Sequence, residues 1–153
     1  MKKSSDIIGL PIISIADGSQ KGSAKMLIID PGKRAATAIA VQDSKWYVET
    51  KVLPFADIVG IGENAITIVS SSHVLTLSHA PDMEKLLAEE VKVIGTKAVS
   101  NKGRLLGNIT EITIGADGAI VSCELTEQGG TKTDIPADDI ITFGKDIIIV
   151  KEQ

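Results

Sequence analysis

The chain has 153 residues, 43% of them hydrophobic and 24% charged, with a formal charge of −4. That composition suits one ordinary globular domain or two small ones, excludes a disordered chain, and contains no run near the roughly 18 unbroken apolar residues of a spanning helix. Residues 1–78 carry 8 Lys/Arg against 7 Asp/Glu and residues 79–153 carry 8 against 13, so neither half offers the clustered cations of a general nucleic-acid binder.

At the start of the chain, "MKKSSDIIGLPIIS" has its apolar stretch broken by Asp6, Gly9 and Pro11. No signal peptide is expected, the lone Cys123 cannot form an intramolecular disulfide, and the reading is a cytoplasmic protein. Aromatics are only 3%, so the core must come from Ile, Val, Leu and Ala, and the many β-branched residues favour strands.

The next feature along the chain is an internal repeat. Ile8-Gly9 corresponds to Ile94-Gly95, Gly18 to Gly103 and Gly22 to Gly107, and a strand follows in each half, Ala24–Ile29 and Ile109–Ile114. Each strand meets a turn, "DPGK" at 30–33 and "GADG" at 115–118. Further on, 53–68 aligns with 135–150 through Pro54/Pro136, Asp57/Asp139, Ile58/Ile140, Gly62/Gly144 and Ile66/Ile148. A period this long fixes the domain count before any secondary structure is assigned.

Within the copies, 45–52 alternates Trp46, Val48, Thr50 and Val52 against Lys45, Tyr47, Glu49 and Lys51, and 120–125 places Val121, Cys123 and Leu125 on one face. The continuous run Ile147–Val150 predicts a strand covered on both sides. Pro54 and Pro136 lack an amide donor and belong at strand ends. Some six short strands per copy predict a small antiparallel barrel or a strongly curled sheet, with closure expected because it removes sticky edges. Between the copies, Pro81, Asp82 and Glu84 with Met83, Leu86 and Leu87 at helical spacing predict a short helix around Pro81–Glu90. The expected architecture is all-β: two tandem small antiparallel β-barrels at 1–78 and 93–153, joined by a short helical linker at 79–92.

The ordered series of motifs resembles the PRC-barrel family, named for the cytoplasmic part of the photosynthetic reaction centre H subunit. The second copy carries it best, in Ile94-Gly95, Gly103-Arg104-Leu105-Leu106-Gly107, Ile109–Ile114, Asp117-Gly118, Ile135-Pro136-Ala137-Asp138-Asp139-Ile140 and 144–150. The first copy departs from it, with Asp30-Pro31-Gly32 for the simple turn and Leu53-Pro54-Phe55-Ala56-Asp57-Ile58 for the later motif. The resemblance implies small β-barrels and non-enzymatic roles: docking in reaction-centre assembly, or the C-terminal part of a ribosome maturation factor. It carries over no catalytic residue.

Read for chemistry, Gly22 and Gly107 are structural, supplying positive φ or close backbone approach. "GIGENA" at 60–65 has the glycines of a dinucleotide loop but precedes a strand instead of opening a helix. Asp57 and Asp139, after their prolines, are read as turn-holding residues that accept backbone amides, not as an acid/base pair or a cation site. His73 and His79 fit no compact metal pair, Cys123 is a small core residue, and no cofactor or metal is expected. Lys97, Lys102 and Arg104 are solvated turn cations, and Asn108-Ile109-Thr110 would be a glycosylation site only in a secreted chain. Trp46 and Tyr47, on opposite faces of one strand, are the candidates for protein contact, since aromatics are enriched at hot spots. The expected function is a non-enzymatic interaction or scaffold module with a protein partner. A ribosome- or RNA-associated accessory factor and a small-ligand-binding protein are the alternatives, and a homodimer is a further source of burial for domains this small.

Overall fold

In the computed structural model the described residues are 1–42, 50–89, 92–144 and 146–152. The chain is mostly β, arranged as two curled sheets. The first contains β2 (Pro11–Ser14), β3 (Gln20–Asp30), β4 (Ala35–Gln42), β5 (Lys51–Pro54), β6 (Ile58–Ile61), β7 (Ile66–Ile68) and β8 (Leu75–Thr76). The second contains β9 (Lys97–Ser100), β10 (Leu105–Ile114), β11 (Ile120–Thr126), β12 (Lys132–Pro136), β13 (Ile140–Phe143) and β14 (Ile147–Val150), with β1 (Lys2–Lys3) paired to the far end of β10.

The repeat in the sequence is a repeat in topology. The first sheet runs β6-β7-β2-β3-β4-β5-β8 and the second β13-β14-β9-β10-β11-β12, so six strands occur twice in one order. Even the irregularities recur: register shifts fall between Ala24/Met26 and Ile28/Ile29 in one copy and between Ile109/Glu111 and Thr113/Ile114 in the other. Bulges bend and twist a strand, and here they curl both sheets alike.

Two expectations are corrected. Closure stops short, because the strands at the ends of each sheet do not pair with each other among the described residues; each sheet is a half-barrel. Pairing is not wholly antiparallel either, since the hairpin β6–β7 returns to lay β7 parallel to β2, as β14 lies parallel to β9. The same register shifts explain Val121, which is exposed while Cys123 and Leu125 are buried. Thr113 faces Ser122 and Ile114 faces Ile120, so Val121 is the extra residue of the bulge and leaves the inner face. The run Ile147–Val150 is buried at Ile148 and Val150 and only partly covered at Ile147 and Ile149.

The inner faces share one core. Ile12, Ile39, Leu53, Ile66 and Ile68 of the first sheet join Ile109, Ile112, Cys123, Ile140 and Ile148 of the second in a single apolar cluster. Arg34 sits at the seam: its carbonyl accepts from Ile120 N at 2.9 Å, its Nη2 donates to Ile141 O at 2.7 Å, and its guanidinium lies 5.4 Å from the Phe143 ring centre. Gly118, at φ +91°, packs against Phe55 and the Ala36 carbonyl, and its own carbonyl accepts from Ala36 N at 2.8 Å.

The helix between the copies, α2 (Pro81–Ala88), starts on its proline with Asp82 and Glu84 in the first turn, where a helix favours negative charge. It lies over the first sheet, with Met83, Leu86 and Leu87 packed near Met26, Ile28, Ala38, Ala40 and Val52.

Candidate functional site

The glycine and proline positions shape backbone. Gly22 (φ +99°) and Gly107 (φ +152°) lie inside β3 and β10 and not in turns. A Cβ on Gly22 would stand 2.6 Å from Val41 Cγ1 and 2.7 Å from Gln42 O, and one on Gly107 would strike Thr126 O. Pro54 and Pro136 end β5 and β12, and each opens a single 3-10 turn, Phe55–Asp57 and Ala137–Asp139. Asp57 and Asp139 close those turns without a side-chain bond to a backbone amide among the described residues. The Asp57 carboxylate instead lies 3.6 Å from His73 Nδ1, whereas Asp139 accepts from Lys151 N through its carbonyl. The Asp57 contact is thus made by its carboxylate and the Asp139 contact by its backbone. Trp46 and Tyr47 lie outside the described residues. Burial pushes the Cys123 thiol up to about 12, and the side chain is fully covered in the core; a thiol so protonated is not a nucleophile at neutral pH.

What distinguishes the copies is the outer face of each sheet. In the first it carries Met26, Ile28, Ala38, Ala40 and Val52, paired Met26↔Ala40↔Val52 across three strands. Strand β8 and helix α2 seal it. The equivalent positions in the second sheet are Glu111, Thr113, Ser122, Glu124 and Asp134, and the equivalent cross-strand row is Glu111↔Glu124↔Asp134. Three carboxylates side by side repel one another, and each is handled differently. Thr110 Oγ1 donates to Glu124 at 3.0 Å and Lys132 Nζ stands 3.9 Å away, while Asp134 is exposed.

Glu111 holds the start of the chain. Its carboxylate accepts from Ser4 Oγ at 2.5 Å, Ser5 N at 2.6 Å and Ser5 Oγ at 2.9 Å, and Ser4 Oγ in turn accepts from Ile112 N at 3.2 Å. The short helix α1 (Ser4–Ile7) is thereby pinned to the second sheet beside β1, with Ile7 fully buried. Burial raises the Glu111 pKa, but the bonds from Ser4 and Ser5, helped by Lys3, outweigh it and hold the carboxyl below its ordinary 4.5. A depressed carboxyl stabilises the fold above its unfolded value, and that contribution disappears as pH falls through the folded one. Glu111→Gln is expected to cost about 1 kcal/mol at pH 7, allowing for solvent screening, and progressively less below pH 4.5. Urea unfolding of both proteins across that range measures it. Sequence reasoning missed this clamp because Ser4, Ser5 and Glu111 are more than a hundred positions apart and no local pattern links them.

At the junction of the copies lies an apolar cleft of about 240 Å³. Two duplicated pairs line it, Ile8/Ile94 and Leu27/Ile112, together with Ile29 and Lys92. Among the described residues no group of three His, Cys, Asp or Glu side chains is placed to hold a metal, and no helix is long and apolar enough to cross a membrane. No protein-family model and no curated protein matches the chain.

Proposed function

We propose that this protein is a non-enzymatic interaction module of two PRC-barrel-like units, joined through the α2 segment, that presents its second sheet to another protein. One observation carries the reading: the same outer face is apolar and covered by α2 in the first sheet but polar in the second, where it is pinned by α1 at Glu111 and exposed at Asp134 on β12. The two sheets keep strand order and bulges, so the scaffold stayed fixed while one surface diverged. The proposed setting is the cytoplasm, whose reducing conditions suit a lone buried Cys123. The test is cross-linked affinity capture with the full chain in native extract, followed by mass spectrometry. A stoichiometric protein partner is the expected result; turnover of a small molecule with no captured protein overturns the reading.

The seam cleft favours a second reading, a small-ligand binder. Its apolar walls and the Lys92 ammonium match an amphiphile with an anionic head. Displacement of a fluorescent apolar dye by a medium-chain carboxylate, abolished by Leu27→Trp, is what that reading expects. The ribosome-associated alternative expects binding to ribosomal particles that falls steeply with salt, and the acidic second face gives it no support.

A further inference from the structure

We infer that the edge of β12, unpaired among the described residues, accepts an extended, basic segment of a partner protein, which adds as an antiparallel strand beside the Glu111–Glu124–Asp134 row. This inference rests on the interaction role proposed above and names its surface and the chemistry of its partner.

The first copy is the template. There β5 pairs with β8 through Lys51↔Thr76 and Val52↔Leu75, and Leu75 belongs to the apolar cluster that includes Val52. Strand β12 is the equivalent of β5: Val52 pairs with Ala40 as Asp134 pairs with Glu124. Among the described residues nothing pairs with the outer edge of β12. Lys132, Thr133, Asp134 and Pro136 are exposed there, whereas Val52 and Leu53 of β5 are fully buried. An open edge offers unpaired backbone donors and acceptors to an incoming strand.

Side-chain chemistry selects the strand. In the first copy an apolar row, Met26, Ala40 and Val52, is continued outward by the apolar Leu75. In the second the row is Glu111, Glu124 and Asp134; Ser4 and Ser5 hold the first and Thr110 bonds the second, so the residue continuing the row meets the Asp134 carboxylate and a cation suits it. Lys132 already leans towards Glu124, leaving Asp134 as the carboxylate facing the vacant position. A neutral or acidic strand would leave the Asp134 charge uncompensated, which gives the edge selectivity for basic segments over acidic ones.

The experiment titrates the full chain at low salt with a capped peptide of about seven residues, a short strand's length, alternating lysine with threonine or valine. A glutamate version and a proline-interrupted lysine version of equal charge are the controls. The lysine peptide is expected to bind and to protect the amides of 132–135 from hydrogen exchange. Neither control should match it, and Asp134→Lys should weaken binding at least about tenfold without changing the circular dichroism spectrum. Equal binding of the proline-interrupted peptide, protection at another edge, β12 amides already protected by self-association, or no binding each overturns the inference. A partner captured equally well by Asp134→Lys also overturns it while the interaction role stands; capture of no partner removes the role itself.

Discussion

Gly107→Ala is expected to destabilise the protein by about 3 kcal/mol, while Gly103→Ala, four positions earlier, costs about 1 kcal/mol. Both glycines have positive φ, +152° and +86°, so both substitutions force an L side chain into a disfavoured backbone region. They differ in what the added methyl meets. At Gly103 there is open space; at Gly107 the methyl strikes the carbonyl of Thr126 on the neighbouring strand, with Thr126 C at 3.0 Å and Glu127 Cα at 3.1 Å. Backbone held in a sheet cannot step aside as a flexible side chain would. Gly22→Ala should approach the Gly107 value, because Gln42 O at 2.7 Å is equally fixed even though Val41 can rotate. Urea unfolding of the three variants gives the order, and a Gly107→Ala cost no larger than that of Gly103→Ala would refute the argument.

This contrast marks how much the sequence discloses. Repetition of Gly22/Gly107, Pro54/Pro136 and Asp57/Asp139 was enough to anticipate two similar β units, because turn and bulge residues are read locally. Helix α2 was legible for the same reason, from Pro81 and the spacing of Met83, Leu86 and Leu87. That the end strands of each sheet do not pair with each other among the described residues was not legible, since whether they meet depends on accumulated curl across all the strands. The seam was hidden too: Arg34 reaches Ile141 and Phe143, and Ser4 reaches Glu111, over separations that leave no periodic trace. Even the difference between the outer faces was present in the residues, in Met26 against Glu111 and Val52 against Asp134, but it became visible only once the register paired them.

That pairing yields the second large effect, a reciprocal exchange between copies. Val52 is fully buried beneath the α2 layer; Asp134 holds the same position in the second sheet and is exposed. Val52→Asp places a carboxyl with no partner in an apolar layer, at an expected cost of about 4 kcal/mol, a large share of the roughly 5–15 kcal/mol that holds a domain together. Burial raises that carboxyl's pKa in the folded state, so the native form binds the proton more tightly than the unfolded one. The variant should therefore regain stability as pH falls from 7 towards 4, the opposite of the trend that Glu111 contributes. Asp134→Val, by contrast, changes an exposed side chain and should alter stability by less than about 0.5 kcal/mol. It makes the edge of β12 more apolar and removes a charge that keeps strands apart, so its effect belongs in self-association, read by sedimentation. If Val52→Asp unfolded no more readily than Asp134→Val, the outer faces would not differ in burial as described, and the divergence between copies would lose its functional meaning.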